Sequence, residues 1–146
     1  MNVNIKSFQE LSILELYQIL QLRTEVFVVE QNCVYQDMDG KDTKALHIIG
    51  RDQNEIIAYT RIFRPGDYMD HACIGRVVVK KSARKGGSGK EIMQASIRAV
   101  EDNFNTNTIH ISAQTYLQKF YNELGFTAVG ETYLEDDIPH ILMVKE

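Results

Sequence analysis

The feature that most constrains the fold is residues 74–104, where an apolar run leads through a basic, glycine-rich turn into an amphipathic segment. The run ends in Val77, Val78 and Val79, and the later segment carries Ile92, Met93, Ile97, Val100 and Phe104 at helical spacing. This pattern predicts a strand that feeds a helix. Because the first amides of a helix lack intrahelical acceptors, and glycine lets backbone amides close around a ligand, the turn predicts an anion-binding site.

The turn supplies several candidate ligands for a phosphate or pyrophosphate group. Its basic side chains add full positive charges to the positive end of the helix dipole. The candidates are Arg84, Lys85, Gly86, Gly87, Ser88, Gly89 and Lys90. The alternative is a solvated basic loop that binds nothing.

Two common phosphate motifs fail to match this turn. A P-loop would require glycine at position 84 and Ser or Thr at position 91, which are Arg84 and Glu91 here. A dinucleotide fingerprint would require glycine at position 92, which is Ile92. The turn does match R-x-x-G-x-G, through Arg84, Gly87 and Gly89.

Composition predicts one globular domain over residues 1–146. The chain is 44% hydrophobic and 25% charged, and a chain of this length buries about 70% of its unfolded surface on folding. The net charge of −4 argues against a nucleic-acid partner, and two cysteines are too few for a disulfide framework. Because the N-terminus has no apolar signal core and no run approaches roughly 20 apolar residues, we expect a soluble cytoplasmic protein without a membrane partner.

Hydrophobic periodicity and turn residues predict an α+β chain with a mostly antiparallel sheet. Ser12 and Glu15 form a capping-box pattern ahead of a helix that should end near Val28, and Gly125 should close a short helix. Because the helix of residues 87–104 connects two strands, we expect those two strands to be parallel. The predicted strands are 3–8, 45–50, 55–63, 74–79, 108–113, 127–129 and 138–144, and the predicted helices are 13–28, 87–104 and 117–124.

A second motif gives the glycine-rich turn a context. Residues 120–126 read FYNELGF and follow the R-x-x-G-x-G turn by about thirty residues. Together the two motifs resemble the GNAT N-acetyltransferase superfamily. Shorter stretches between residues 16 and 143, such as EVFVVEQ, DGKD, GRVVV and YLED, resemble its ElaA-type subfamily. The resemblance implies a GNAT-like fold, with a twisted sheet of six to seven strands, one parallel strand pair and about four flanking helices.

The resemblance also implies an acetyl-CoA-dependent N-acetyltransferase and assigns roles to particular residues. The glycine-rich turn, the strand residues Val77, Val78 and Val79, and the side chain of Gln114 would bind acetyl-CoA. The backbone amide of Val78 would polarise the thioester carbonyl. Tyr121 would act as the general acid that protonates the departing sulfur.

The general base and the acceptor contacts are open to several assignments. His140 is one candidate, either as the base or as a contact to the acceptor. Glu25, Glu30 and Glu135 are the competing candidates, and the same three carboxylates could bind the acceptor amine.

Arg76 lies on the strand of the predicted reaction centre. Its alternate neighbours are Ile74 and Val78, so we expect the three side chains to share one face of the sheet. A charge in such a place is usually paired. Arg76 could pair with Glu25 or Glu30 and shape the acceptor pocket, or it could serve only the fold.

Two acidic stretches, residues 37–42 and 131–137, favour a positively charged primary amine as the acceptor. Residues 30–42 could instead form a solvated acidic loop, and they fail to match a calcium loop because Tyr35 and Leu46 stand where Asp and Glu are required. No pattern predicts a metal site. A catalytically idle acyl-CoA-binding module is the alternative function, and a homodimer through an exposed sheet edge is possible.

Overall fold

The computed structural model describes residues 1–146 as a seven-stranded mixed sheet with helices on both faces. The strands are β1 (Asn2–Ser7), β2 (Leu46–Asp52), β3 (Glu55–Phe63), β4 (Ala72–Val79), β5 (Ile109–Gln114), β6 (Thr127–Glu135) and β7 (Ile138–Lys145). Their order in the sheet is β1-β2-β3-β4-β5-β7-β6. All neighbouring pairs are antiparallel except β4 and β5, which confirms the predicted single parallel pair.

Four helices accompany the sheet, as the resemblance implied. They are α1 (Ile13–Arg23), a π-helical segment (Thr24–Glu30) that continues α1, α2 (Ser88–Phe104) and α3 (Gln118–Glu123). A 3-10 turn, Lys81–Gly86, joins β4 to α2. None of these helices is long and apolar enough to cross a membrane.

The start of α1 follows the sequence prediction and its end does not. The Ser12 hydroxyl accepts the Glu15 amide, and the Glu15 carboxylate accepts the Ser12 amide in return, as a capping box requires. The α-helical hydrogen bonds end at Arg23, however, and the next seven residues adopt π-helical geometry. This π-helical segment ends at Glu30, whose carboxylate pairs with Arg84 in the turn that follows β4.

The hydrophobic core is divided by the sheet into two main clusters. On one face, α2 buries Ile92, Met93 and Val100 against the sheet within a cluster of 19 residues. On the other face, α1 buries Ile19 and Leu22 within a cluster of seven residues. The sheet is therefore covered on both sides, and the helical spacing that predicted α2 corresponds to its buried face.

A β-bulge interrupts β4 at Arg76, which has a φ of 47°. The register with β3 shifts there, so one extra residue of β4 lies opposite β3. Ile74 consequently packs in the cluster under α2, whereas Val78 packs in the cluster under α1. The prediction that Ile74 and Val78 share a face is wrong, because the bulge reverses the alternation between them.

The strands β4 and β5 separate soon after they begin. They pair only at Ala72 with Ile109 and at Cys73 with His110. Beyond these two pairs the remainder of β4 has β3 as its only strand neighbour. The gap that opens between β4 and β5 is the position of the candidate site.

The C-terminal hairpin is longer than predicted. The strand expected at residues 127–129 extends to Glu135 as β6, with a register shift between Val129 and Tyr133. Part of the acidic stretch 131–137 therefore lies in an edge strand. Its last two residues, Asp136 and Asp137, form the turn into β7, both with positive φ.

Candidate active site

A cleft of about 470 Å³ occupies the gap between β4 and β5. Its walls come from these two strands, the π-helical segment, the start of α2, the start of α3 and the turn between β6 and β7. Polar and apolar side chains both line it. The cleft runs from the glycine-rich turn at one end to a group of ionisable side chains at the other.

The glycine-rich turn lies at one end of the cleft, between β4 and α2. Gly87 has a φ of 80°, in the left-handed region that side chains disfavour, and it connects the 3-10 turn to α2. No side chain caps α2, and helix geometry leaves the amides before Glu91 without intrahelical acceptors. The start of α2 thus has free donors and a positive dipole end available for an anion.

The predicted cofactor residues fall into two groups in the structure. One group lines the cleft directly and the other lies in the adjoining turn. The cleft is lined by Val77, Val78, Val79, Arg84, Gly89 and Gln114, whereas Lys85, Gly86, Gly87, Ser88 and Lys90 form the turn and the first residues of α2.

Arg84 is held in place by two neighbours. Its Nε donates to the Val79 carbonyl at 3.1 Å, and its two terminal nitrogens lie 2.5 and 2.8 Å from the two carboxylate oxygens of Glu30. The hydrogen bond from Arg84 holds the pKa of Glu30 below its ordinary value. Glu30 therefore lines the cleft as the partner of Arg84, beside the glycine-rich turn, and its roles as base and as acceptor contact stay predictions.

Glu25 is exposed and does not line the cleft. It borders a smaller polar depression between α1 and β3. It therefore lies outside the cleft, and its roles as base and as acceptor contact stay predictions.

The free edge of β4 presents alternate peptide groups to the cleft. The amide of Lys80 donates to the Ile57 carbonyl of β3 at 2.7 Å. Because peptide groups of an antiparallel strand point alternately toward and away from the partner, Val78 directs its amide to β3, and Val79 and Val77 direct theirs to the cleft. The amide of Val78, which was predicted to polarise the thioester carbonyl, therefore faces β3, and the amides that face the cleft are those of its neighbours.

Tyr121 lies on α3 with its side chain in the wall of the cleft. The residue is 5% exposed and packs edge-on against Phe120 and Phe126, with ring centroids 5.1 and 6.2 Å away. Its hydroxyl makes no hydrogen bond within the protein, and burial raises the pKa of the phenol, so it keeps its proton at neutral pH. A buried phenol without a partner, facing a cleft, is suited to donate to a ligand.

Residues 31–41, here called the strap, cross one face of the sheet beside the cleft. Three aspartates from the strap and the turn after it bind three arginines from α1, β3 and β4. The ion pairs are Asp37 with Arg23 at 2.7 Å and Arg76 at 2.8 Å, Asp42 with Arg23 at 2.8 Å and Arg61 at 2.9 Å, and Asp39 with Arg61 at 2.5 Å. Arg23 and Arg61 are almost fully buried.

This network changes the interpretation of the acidic stretch 37–42. The stretch is neither a solvated loop nor a source of free negative charge, because its three aspartates are neutralised by three arginines. Arg76 pairs with Asp37, so the predicted pairing with Glu25 or Glu30 is wrong. The sequence signal for the network was an arginine inside each of two buried apolar strands, Arg61 and Arg76, with clustered aspartates elsewhere.

The strap is tied to the turn between β6 and β7. The Tyr35 hydroxyl donates to a carboxylate oxygen of Asp137 at 2.6 Å, and the Cys33 thiol lies 3.4 Å from the Asp136 carbonyl. These contacts join residues more than a hundred positions apart in the chain. They form part of the wall of the cleft at the end opposite the glycine-rich turn.

Two of the predicted acid–base residues meet at this end of the cleft. His140 is 6% exposed, and its Nε2 lies 3.5 Å from a carboxylate oxygen of Glu135. Ser112 and Tyr133 accompany them, with the Ser112 hydroxyl 3.2 Å from Glu135 and 2.5 Å from the Tyr133 hydroxyl. The sequence analysis did not assign functions to Ser112 and Tyr133, although the alternation of polar and apolar residues along β5 marks Ser112 as facing away from the core under α2.

Comparison with known proteins gives a consistent set of similarities. Residues 9–146 match the family model described as an acetyltransferase (GNAT) domain. The protein ElaA of Escherichia coli K12 is 42% identical over 139 residues, covering 94% of this chain and 91% of ElaA.

Two solved structures resemble this one over nearly all of their length. An acyl-CoA N-acyltransferase from Pseudomonas aeruginosa has a TM-score of 0.93 at 41% identity, with 100% of each chain covered. An aminoglycoside 6'-N-acetyltransferase solved with coenzyme A has a TM-score of 0.73 at 18% identity, with 97% of this chain and 96% of that chain covered. The latter similarity concerns the fold alone.

Proposed function

Because this chain belongs to the acetyltransferase (GNAT) family and is an N-acetyltransferase, we propose that it transfers the acetyl group of acetyl-CoA to a primary amine of a cationic acceptor by direct attack on the thioester. The observation that carries the proposal is the cleft between β4 and β5, which joins an open strand edge to the uncapped start of α2. We further propose that residues 1–146 form one acetyltransferase domain, since a single sheet includes strands from both ends of the chain.

The residues along the cleft fit acetyl-CoA as the acyl donor. The pantetheine arm is an extended chain with two amides, and it can pair with the open edge of β4 as an added strand would. The pyrophosphate would then lie at the start of α2, near the positive charges of Arg84, Lys85 and Lys90. Acetyl-CoA, when bound, supplies an activated acetyl thioester.

Side chains and backbone groups of the cleft supply the remaining chemistry. The amide of Val77, or that of Val79 two residues later on β4, donates to the thioester carbonyl and stabilises negative charge on its oxygen. This effect is often worth a few kcal/mol. Tyr121 donates its proton to the departing sulfur. His140 takes the proton that the acceptor nitrogen must lose before it attacks.

The acceptor end of the cleft favours a cationic amine. Glu135 and Asp136 line it and neither is held by a lysine or an arginine, whereas the only arginine beside them, Arg76, is paired with Asp37. A positively charged amine would therefore be drawn to this end by Glu135 and Asp136, rather than by the aspartates of the strap.

Thermal unfolding with and without saturating acetyl-CoA tests the donor. At a hundredfold excess over Kd a ligand adds about 2.7 kcal/mol, which should raise the midpoint by roughly 5–10 °C for a chain of this size. ATP with magnesium is the matched control for phosphate binding without the pantetheine arm. A shift with ATP alone, or with neither ligand, contradicts the proposed donor.

Release of free thiol from acetyl-CoA in the presence of amines tests the reaction. We expect release to require the protein together with a cationic amine, and the panel should include polyamines, aminoglycosides, lysine and peptides with a free N-terminus. Neutral and anionic amines of similar size are the controls. Binding of acetyl-CoA without amine-dependent release from any member of the panel would favour an idle acyl-CoA-binding module.

A further inference from the structure

Two hydrogen-bond acceptors face each other at the end of the cleft opposite the glycine-rich turn. His140 Nδ1 lies 2.7 Å from the Ile138 carbonyl, and because a carbonyl only accepts, Nδ1 carries the proton. The neutral ring then has its lone pair on Nε2, which lies 3.5 Å from a carboxylate oxygen of Glu135. Neither atom carries a hydrogen to donate to the other. One further proton, on His140 or on a cation bound there, would allow a hydrogen bond to form at this position.

Glu135 is itself oriented by a hydroxyl chain of fixed direction. A carboxylate only accepts, so the Ser112 hydroxyl donates its single hydrogen to Glu135 at 3.2 Å. Ser112 must then accept the hydroxyl hydrogen of Tyr133 at 2.5 Å. The strand register supports this arrangement, since Tyr133 of β6 lies directly opposite His140 of β7.

We propose that Ser112 and Tyr133 are positioning residues that hold the Glu135 carboxylate between a cationic amine acceptor and Nε2 of His140. This inference rests on the proposed function. Glu135 accepts hydrogen bonds from the ammonium group of the acceptor. One N–H proton then passes to His140 Nε2, the electron pair of that bond stays on the amine nitrogen for the attack, and Glu135 pairs with the imidazolium that results.

Other ionisable groups also face the pair of Glu135 and His140. Arg76 is paired with Asp37, so their charges cancel. The hydrogen bond to Asp137 raises the pKa of Tyr35, and desolvation raises the pKa of both Cys33 and Tyr68, so all three stay protonated. The Asp136 carboxylate also lines the cleft beside Glu135. Proton transfer at this end of the cleft is therefore assigned to the pair of Glu135 and His140.

The test is the pH dependence of kcat/KM for the acceptor in the variants Ser112→Ala and Tyr133→Phe. Loss of either hydroxyl frees Glu135 to leave His140, which weakens the stabilisation of the imidazolium. We expect the acid-side midpoint of the profile to move to lower pH by about half a unit or more. The KM for the acceptor should rise about fivefold, while the KM for acetyl-CoA should stay unchanged.

Two matched variants serve as controls. Ser112→Thr retains the hydroxyl and should restore the wild-type midpoint and acceptor KM. Tyr17→Phe removes a phenol that is 69% exposed on α1, away from the cleft, and should change nothing. Because Tyr133 is 40% exposed and loses only its hydroxyl, Tyr133→Phe should fold even if Ser112→Ala does not.

The possible outcomes separate this inference from the proposed function. A uniform loss of kcat at every pH, with the midpoint and the acceptor KM unchanged, would indicate a structural role and overturn the positioning role. Unchanged profiles in both variants would overturn it as well. If the wild-type protein binds acetyl-CoA but shows no amine-dependent thiol release, the reaction itself is refuted and the positioning role with it.

Discussion

Tyr121 is the side chain on which the departure of the thiol should depend most. Its phenol is buried, protonated and free of partners in the protein, and it lies in the wall of the cleft. We expect Tyr121→Phe to lower kcat about a hundredfold, because only the proton donor is lost. The Kd for acetyl-CoA, measured by calorimetry, should change less than twofold.

The matched control for Tyr121 is Tyr116→Phe, which also alters a tyrosine at the cleft but one that is 71% exposed. This control should leave kcat within about twofold of wild type. An equally small effect of Tyr121→Phe would remove Tyr121 from the mechanism and leave it as a packing residue.

Asp42 is the residue on which the ion-pair network depends most. One of its carboxylate oxygens accepts from both Arg23 and Arg61, whose side chains have almost no contact with solvent. Replacing Asp42 by Asn removes the one negative charge that both buried cations share and leaves each with a single aspartate, Asp37 for Arg23 and Asp39 for Arg61. Since breaking a buried pair usually costs about 3–5 kcal/mol, we expect Asp42→Asn to lower the free energy of unfolding by about that amount.

Urea unfolding measures this effect, and Asp102→Asn on the exposed face of α2 is the control. The control should change the free energy of unfolding by about 0.5 kcal/mol or less. If Asp42→Asn costs no more than the control, the network contributes little beyond what well-packed neutral residues would.

At the scale of elements, the junction between the glycine-rich turn and α2 contains two glycines, Gly87 and Gly89, whose replacement should affect folding and binding differently. Gly87 has a positive φ with open space around it, so Gly87→Ala should cost about 1 kcal/mol of backbone strain. Gly89 lies within the first turn of α2, where an added Cβ would lie 3.5 Å from Phe120 and 3.7 Å from Val79, which are ordinary contacts. Gly89→Ala should therefore fold as well as wild type or better.

Although Gly89→Ala should be the more stable of the two variants, it should be the one that weakens acetyl-CoA binding. The Cβ of Gly89→Ala would project into the lining of the cleft, so we expect the Kd for acetyl-CoA to rise at least about tenfold, which corresponds to 1.4 kcal/mol. Thermal unfolding and calorimetry on both variants check this ranking. Gly89→Ala with unchanged affinity would show that acetyl-CoA does not approach the start of α2 closely.

Local signals explain which elements could be predicted from the sequence. The apolar spacing of α2, the Ser12 capping box and the hairpin of β2 and β3 all depend on residues close together in the chain. The prediction failed where distant residues decide the geometry. The bulge at Arg76 and the π-helical end of α1 leave no local signature, because partners 39 residues apart, such as Arg76 and Asp37, help to fix them.

The same reasoning separates the two ends of the candidate site. The anion end could be predicted because strand, turn and helix are contiguous in sequence. The acceptor end is assembled from β5, β6, β7 and the strap, so only its individual residues His140 and Glu135 could be proposed. Their partners Ser112 and Tyr133 became visible only from the strand register.

For the whole molecule, the buried and paired carboxylates determine how stability responds to acid. Burial alone would raise the pKa of Asp42, but the hydrogen bonds from Arg23 and Arg61 lower it. For Glu15 burial is likewise outweighed, and hydrogen bonds from Lys6, the Ser12 amide and Arg51 lower its pKa to about 2. Carboxyl groups in the unfolded chain titrate near pH 4, so these groups stabilise the fold above about pH 4.5.

His47 adds a second acid-sensitive window at higher pH. Burial lowers the pKa of its imidazole, which lies 2.6 Å from the Tyr59 hydroxyl and 2.9 Å from the Asp42 carbonyl. The folded protein therefore keeps His47 neutral at pH values where the unfolded chain binds a proton. Its contribution to stability is complete above about pH 6.5 and declines as the pH falls below that value.

These two windows predict a stepwise loss of stability in acid. The free energy of unfolding in urea should begin to decline below about pH 6.5, through His47, and should decline further from about pH 4.5 downward, through the carboxylates. Glu15→Gln should flatten only the lower step, because it removes one group with a depressed pKa and leaves the environment of His47 unchanged. Unfolding at pH 7, 5.5, 4 and 3 for both proteins measures the two steps. Equal slopes below pH 4.5 in wild type and Glu15→Gln would show that the bonds from Lys6 and Arg51 do not stabilise the folded state through the ionised carboxylate.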